Sequence, residues 1–170
     1  MEGILGLIKL RIKRGTNLIA RDARSSDPYV LVAMGEQKLK TDVVKDNCNP
    51  EWNEELTLYI RDVSTPIHLT VCDKDTFTVD DEMGDADIDI KPYLHCVKMD
   101  LKDLPYGHVV KQIQPNRSNC LTEESSCIWR NGKIIQEMSL RLRNVKSGEI
   151  IVEIEWVNLP HSKGLSEVEF

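Results

Sequence analysis

Apolar and polar residues alternate in short segments along the first half of the chain. Ile8, Leu10 and Ile12 alternate with Lys9 and Arg11, which is the period-two pattern of a β-strand with one buried face. Segments of similar length follow, separated by turn-forming residues such as Gly, Asn and Pro. The further strands predicted in this half are Tyr29–Met34, Lys38–Val44, Trp52–Ile60, Ile67–Val71 and Ala86–Ile90.

Two more alternating segments lie near the end of the chain, at Met138–Leu142 and Glu149–Val157. Short strands at this spacing, with turn signals between them, are typical of an antiparallel sandwich. The pattern therefore predicts an all-β fold, an eight-stranded antiparallel β-sandwich.

The interval 91–136 interrupts this pattern. It is expected to open with a short helix over Pro92–Met99, with proline at the first helical position, and then to become polar and irregular. A loop of this length inside a compact domain is usually functional or disordered. We interpret residues 1–170 as one domain, 91–136 as an insertion between strands 6 and 7, and 158–170 as a C-terminal tail.

Composition narrows the class of function. The net charge is −6, from 28 acidic and 22 basic residues, and this disfavours a nucleic-acid binder, which would be basic. Five cysteines at irregular spacing indicate reduced thiols in the cytoplasm or nucleus. Neither a Gly-x-Ser-x-Gly nor a His-Glu-x-x-His motif is present, so we do not expect an enzyme.

Five aspartates form the main candidate site: Asp22 and Asp27 in one loop, and Asp73, Asp75 and Asp81 in another. Loop aspartates are often solvated turn residues, but crowded carboxylates repel one another unless a cation lies between them. Calcium prefers six to eight oxygen ligands, and two loops at one end of a sandwich can supply them. The spacing does not match an EF-hand. The sequence therefore predicts a calcium site.

Three motifs carry a family resemblance: Ser26-Asp27-Pro28-Tyr29-Val30, Asn49-Pro50-Glu51-Trp52, and Asp73-Lys-Asp75 with Asp81-Glu-Met-Gly84. Together they resemble a C2 domain over residues 1–92. The resemblance implies type II topology, because only one strand precedes the first calcium loop and the eighth strand comes from the C-terminus. It also implies two or three Ca²⁺ ions. The ligands it implies are Asp22, Asp27, Asp73, Asp75 and Asp81, with the backbone carbonyls of Arg21 and Lys74.

Lipid-binding residues follow from the same resemblance. Phe77 and Val79 lie at the predicted crest of the second aspartate loop, where they could enter a membrane interface, or Phe77 could fold back onto the sandwich. Lys38 and Lys40 lie on a strand pair that forms a phosphoinositide patch in many C2 domains. A solvated sheet edge is the alternative for these two lysines.

The insertion and the tail resemble the plant C2-domain abscisic-acid-related family, through Leu104-Pro-Tyr-Gly107, Gln114-Pro-Asn-Arg-Ser-Asn-Cys-Leu121 and Trp156-Val-Asn-Leu-Pro. This resemblance implies a calcium-dependent phospholipid-binding adaptor. Such an adaptor recruits PYR/PYL abscisic acid receptors to the plasma membrane and is a positive regulator of abscisic acid signalling. The expected location is the cytoplasm, with calcium-dependent recruitment to the plasma membrane, and the nucleus as a second location.

The same family implies an alternative function, a GTPase/ATPase-activating protein for a YchF-type G protein. Such an activator can supply an arginine in trans to its partner's phosphates. By charge alone, the candidates are Arg117, Arg130, Arg141 and Arg143. Trp129 could be an exposed anchor for a protein partner, or it could pack on the flank of the sandwich. If the insertion carries the partner site, deleting Leu104–Gly132 should spare lipid binding and remove partner binding.

Overall fold

The computed structural model describes residues 3–20 and 26–170 of the chain. Within these residues it contains ten strands and one short helix, in two antiparallel sheets. The elements are β1 (Gly6–Thr16), β2 (Pro28–Met34), β3 (Gln37–Lys40), β4 (Glu51–Ile60), β5 (Ile67–Asp73), β6 (Asp81–Ile88), α1 (Lys91–Lys98), β7 (Val109–Ile113), β8 (Ser125–Arg130), β9 (Lys133–Arg141) and β10 (Glu149–Val157).

The sheets confirm the predicted all-β sandwich. One sheet has the strand order β4-β1-β10-β9-β8-β7 and the other has the order β3-β2-β5-β6. The first strand of the chain lies between β4 and the last strand, with Leu10 opposite Ile154. This pairing of the two ends of the chain is the type II order that the sequence predicted.

The core lies between the sheets and consists of the inward-facing residues of each strand. Ile8, Leu10 and Ile12 of β1 are completely buried, as are Val30 of β2 and Leu69 of β5. Burial of each such side chain stabilises the fold by about 1.5–3 kcal/mol. This rigid core holds the strand ends, and therefore the loops that join them, in fixed positions.

Strand β3 is shorter than the predicted segment Lys38–Val44, because it ends at Lys40. Thr41 ends the pairing with β2. Its amide donates to the carbonyl of Val30 at 3.0 Å, and its hydroxyl oxygen accepts from the Val30 amide at 2.9 Å. The chain then leaves the sheet edge and crosses towards β4.

The insertion is more ordered than the sequence predicted. The helix is confirmed, with Pro92 in its first turn, but the polar stretch after it contains a hairpin, β7 and β8, that extends the larger sheet beside β9. Ile128 of β8 lies opposite Ile135 of β9, and Cys127 is completely buried. The sequence did not predict these two strands, because their alternating apolar segments are short and are flanked by polar residues.

Helix α1 packs on the sandwich through the buried side chains Tyr93, Leu94 and Cys96, and Tyr93 is also hydrogen-bonded to the sandwich. The Tyr93 hydroxyl donates to the carbonyl of Ile134 at 2.7 Å and accepts from the amide of Trp156 at 2.7 Å. At eight residues it is far too short to cross a bilayer, and the described residues contain no longer apolar helix that could do so.

The tail 158–170 packs against the sandwich. Leu165 is 5% exposed and belongs to the core, and Val168 packs against that core. Gly164 occupies the left-handed region at φ +59°, where a glycine is favoured. The tail is therefore a structural part of the domain.

Candidate metal centre

The second aspartate loop connects β5 to β6, and its two ends face each other. Asp73 is the last residue of β5 and lies directly opposite Asp81, the first residue of β6. Opposite residues of antiparallel strands point to the same face, with Cβ atoms roughly 5 Å apart, and like charges in such pairs are destabilising. A divalent cation beside this pair would remove that repulsion.

Asp27, which follows the first loop, is joined directly to Asp73. The Asp27 amide donates to Oδ1 of Asp73 at 2.8 Å, and the Lys74 amide donates to the Asp27 carbonyl at 3.0 Å. Oδ1 of Asp27 accepts from the Asp46 amide at 2.8 Å. Asp73 is only 4% exposed. These bonds place Asp27, next to the first loop, beside Asp73, at the start of the second loop.

The base of the first loop is closed by side-chain hydrogen bonds. The Ser26 hydroxyl donates to the carbonyl of Ile19 at 2.9 Å, and the Trp52 indole donates to the carbonyl of Pro28 at 3.3 Å. The predicted ligands Asp22 and Arg21 lie outside the described residues.

Asp75 adopts a turn at the start of the second loop. Its Oδ1 accepts from the Phe77 amide at 3.2 Å. A hydrogen bond from the Thr78 hydroxyl, together with the Phe77 amide, lowers the pKa of Asp75 below its ordinary value. The carboxylate is therefore ionised at neutral pH, as a calcium ligand must be.

Asp80 is a residue whose importance the sequence did not indicate. Its Oδ1 accepts from the Asp75 amide at 2.8 Å, and its Oδ2 accepts from the Tyr29 hydroxyl and lies 3.7 Å from Nζ of Lys74. The Tyr29 hydroxyl and the Asp75 amide lower the pKa of Asp80, while burial and the bond to Asp80 raise the pKa of Tyr29. Alternation along β2 could have shown which face Tyr29 occupies, but not that it meets Asp80.

A β-bulge lies next to the site. The pairing of β5 and β6 shifts between Thr70 and Cys72, opposite Gly84. Gly84 has φ +105°, and a Cβ there would lie 2.6 Å from Cγ1 of Val145. Only glycine fits this position. The bulge changes the register so that Asp81 lies opposite Asp73.

The described residues fit a calcium site by donor chemistry. Asp27, Asp73, Asp75 and Asp81 are all oxygen donors, the ligands that Ca²⁺ prefers, and Asp73 and Asp81 form an opposed like-charge pair. Across residues 3–20 and 26–170, the His, Cys, Asp and Glu side chains do not form a group of three or more at metal-binding distances. The predicted set also includes Asp22, outside those residues.

The crest of the second loop is strongly exposed. Phe77 is 94% exposed and Val79 is 89% exposed, although both are apolar. The alternative in which Phe77 folds back onto the sandwich is therefore not what the structure shows. The crest of the second loop therefore presents two apolar side chains to solvent, between Asp75 and Asp81.

The two lysines predicted to form a patch share one face of edge strand β3. Lys38 and Lys40 are exposed, while Leu39 between them packs against the core. Lys40 lies opposite Leu31 of β2, which is 39% exposed. Across the described residues, neither lysine has an ion pair within 4.0 Å.

Trp129 lies in β8 and is half-buried. It packs against the hydrophobic core and lines a cleft of about 640 Å³ between α1, the β8–β9 turn and the tail. Of the two predictions for Trp129, the structure shows the one in which it packs on the sandwich rather than standing exposed. The exposed large apolar side chains of the insertion are instead Tyr106, at 72%, Met99, at 46%, and Val109, at 45%.

Comparison with known proteins agrees with this geometry. A model of the C2 domain family matches residues 6–106. Protein C2-DOMAIN ABA-RELATED 5 of Arabidopsis thaliana is 54% identical over 97% of this chain and 82% of its own length. The chain belongs to the C2-domain ABA-related family.

Another curated relative and two solved structures extend the comparison. GTPase activating protein 1 of Oryza sativa subsp. indica is 53% identical over 95% of this chain and 98% of its own length. The first C2 domain of plant extended synaptotagmin 1 superposes with a TM-score of 0.62 at 20% identity, over 92% of this chain and 97% of that one. The calcium-bound pair of C2 domains of extended synaptotagmin 2 gives a TM-score of 0.62 at 18% identity, over 92% and 47%. These structural likenesses show that the C2-domain ABA-related chain has the C2 fold.

Proposed function

We propose that the protein is a calcium-dependent phospholipid-binding adaptor that recruits a PYR/PYL-type abscisic acid receptor to the plasma membrane and promotes abscisic acid signalling. The observation that carries the lipid-binding part is the exposed pair Phe77 and Val79, on a loop flanked by Asp75 and Asp81. The names of relatives such as Protein C2-DOMAIN ABA-RELATED 6, 53% identical, support the signalling part.

The carboxylates would hold the metal, and the residues around them would bind the membrane. Bound Ca²⁺ would supply positive charge and open coordination positions for lipid phosphate oxygens. Phe77 and Val79 would enter the interface, each contributing up to about 1.5–3 kcal/mol if fully buried. Lys38 and Lys40 would add about 1 kcal/mol each near an anionic surface. The proposed ligands are Asp22, Asp27, Asp73, Asp75 and Asp81, with the carbonyls of Arg21 and Lys74, for two or three ions.

Sedimentation with phosphatidylserine vesicles tests the lipid-binding part. The wild-type chain should sediment in Ca²⁺ and remain in the supernatant with a chelator. The double variant Phe77→Ala/Val79→Ala should bind about tenfold or more weakly, a change that corresponds to about 1.4 kcal/mol. Tyr106→Ala is the matched control, because Tyr106 is a 72% exposed aromatic on the insertion. Equal sedimentation of the wild type with and without calcium would contradict the proposal.

The same vesicles test the receptor part. A purified PYR/PYL receptor should sediment with the vesicles only when this chain and Ca²⁺ are both present. A receptor that stays in the supernatant while the chain itself sediments would refute recruitment and leave lipid binding intact.

A second candidate function is supported by a different observation. The rice relatives, 53% identical over 98% of their own length, are named GTPase activating protein 1. We propose as the alternative that this chain accelerates nucleotide hydrolysis by a YchF-type G protein, without being an enzyme itself. The two functions are compatible, because a membrane-recruited adaptor can also act on a partner.

A further inference from the structure

The connection between β7 and β8 forms a tight, internally bonded turn at residues 115–119. Oδ1 of Asn116 accepts from the Ser118 amide at 2.8 Å, the Ser118 hydroxyl at 2.9 Å and the Asn119 amide at 2.8 Å. Oδ1 of Asn119 accepts from the Asn116 amide at 3.0 Å, and its Nδ2 donates to the carbonyl of Gln114 at 3.0 Å. The turn is therefore closed by side chains from both of its ends.

The residues after the turn attach it to the sandwich. The carbonyl of Cys120 accepts from the Arg141 amide at 2.7 Å, and Leu121 pairs with Leu140 of β9. Cys120 and Leu121 are both 5% exposed. These contacts hold the backbone at the tip of the turn in a fixed position relative to the sandwich.

Arg117 occupies that tip. Its side chain is exposed, and it has no hydrogen bond or ion pair to any of the residues that the structure describes. The other three candidate arginines differ from Arg117 in their contacts or in their place in the fold. Arg130 pairs with Glu153 at 3.6 Å, and Arg143 bonds Asp85 and Asp87 at 2.9 Å each. Arg141 is exposed but belongs to strand β9.

An unpaired guanidinium on a rigid projection has a defined chemical use. It presents several N–H donors in a planar fork that matches phosphate oxygens. Because the turn is already ordered, little backbone entropy is lost when Arg117 binds. Arg117 does not line the cleft of about 640 Å³ beside α1 or the cleft of about 360 Å³ beside the β2–β3 turn. A side chain that projects away from both clefts is placed to enter a concave site of a partner.

We propose that Arg117 is an arginine finger, inserted into the nucleotide site of a nucleoside triphosphatase partner, where its guanidinium donates to oxygens of the γ-phosphate. This inference rests on the alternative proposed function, GTPase activation. In the partner's reaction a water oxygen bonds to the γ-phosphorus, the bond from that phosphorus to the bridging oxygen breaks, and the products are nucleoside diphosphate and inorganic phosphate, with the water proton released. Arg117 is not consumed and stabilises the negative charge that develops on the transferred group.

The test is single-turnover GTP hydrolysis by a purified YchF-type G protein, measured over a range of concentrations of this chain. Arg117→Ala should return the rate at saturation close to the partner's own rate, because arginine fingers contribute about 10³-fold or more in general. The half-saturating concentration should change little. Arg117→Lys should lose most of the acceleration too, since lysine keeps the charge but not the fork. Arg141→Ala, an exposed strand arginine, should behave as the wild type.

The outcomes separate this inference from the function on which it rests. If the wild type does not accelerate hydrolysis, both the activator function and the finger are overturned. If Arg117→Ala accelerates as the wild type does, only the finger is overturned. Two further results would also overturn the finger. If Arg117→Ala reaches full acceleration at a higher concentration, Arg117 is a docking residue. If Arg117→Ala binds phosphatidylserine vesicles more weakly while hydrolysis is unchanged, Arg117 is a lipid contact. Circular dichroism of each variant establishes that it is folded.

Discussion

Two adjacent aspartates in the second loop have different surroundings and therefore different roles. Asp80 accepts hydrogen bonds from the Tyr29 hydroxyl and the Asp75 amide and lies 3.7 Å from the Lys74 ammonium. Asp81 is exposed, lies opposite Asp73, and makes no side-chain bond to the described residues. Asp80 thus stabilises the conformation of the loop, while the exposed carboxylate of Asp81 is available to a cation.

This difference predicts how the two aspartates respond to the same substitution. Asp81→Asn should weaken calcium binding about tenfold or more, because the charge count of the ligands sets affinity. Asp80→Asn should weaken it less and should lower the thermal stability, because the Tyr29 and Lys74 contacts weaken. Calorimetric titration with Ca²⁺ and thermal unfolding of both variants measure these effects. A larger loss of affinity in Asp80→Asn would show that Asp80 is the ligand.

At the scale of elements, the insertion is a structural part of the sandwich. Strand β8 covers the edge of β9, Cys127 is fully buried, and Tyr93 of α1 bonds the backbone of both β9 and β10. Deleting Leu104–Gly132 would remove β7 and β8 and expose that edge. The structure therefore argues against the simple expectation that this segment can be deleted without harm to lipid binding, and point substitutions are the better test.

Tyr93→Phe should destabilise the domain by about 1–3 kcal/mol. The substitution leaves the buried Ile134 carbonyl and Trp156 amide without the bonds that the hydroxyl provides, and unpaired buried polar groups cost about this much. Urea unfolding followed by tryptophan fluorescence measures the change. Tyr106→Phe is the control, because Tyr106 is 72% exposed and should show no loss. Unchanged stability of Tyr93→Phe would mean that α1 is held by apolar packing alone.

At the scale of the whole molecule, the two sheets enclose one core and carry charged loops at one end. Asp27, Asp73 and Asp81 belong to, or directly adjoin, the strands β2, β5 and β6. A ligand that binds these residues therefore binds only the folded state, and its binding free energy adds to the stability of the entire domain.

Calcium should accordingly raise the melting temperature. At a free concentration of about 100 times Kd, a single site stabilises by about 2.7 kcal/mol, which corresponds to a shift of about 5–10 °C for a domain of this size. Differential scanning calorimetry in Ca²⁺, in Mg²⁺ and with a chelator measures this shift. Magnesium should give a smaller effect, since it prefers compact octahedral sites with water. Equal melting temperatures in Ca²⁺ and with a chelator would contradict the calcium site.

Local patterns in the sequence determined much of this protein. Alternation predicted eight of the ten strands, and proline marked the start of α1, because side-chain period and backbone restriction are local properties. The pairing of Asp27 with Asp73 could also be anticipated, since both adjoin strand ends. The calcium role of all five aspartates, Asp22, Asp27, Asp73, Asp75 and Asp81, stays a prediction.

Only the tertiary structure decided the rest, because those features depend on residues far apart in the chain. The Tyr29–Asp80 bond spans 51 positions, and β7 and β8 are stabilised by a neighbouring edge that their own polar sequence does not reveal. The exposure of Phe77 and the partial burial of Trp129 also follow from packing rather than from residue type. In the sequence, Arg117 is one of four candidate arginines that differ little in charge. The folded turn places its side chain at an exposed tip, without a partner among the described residues.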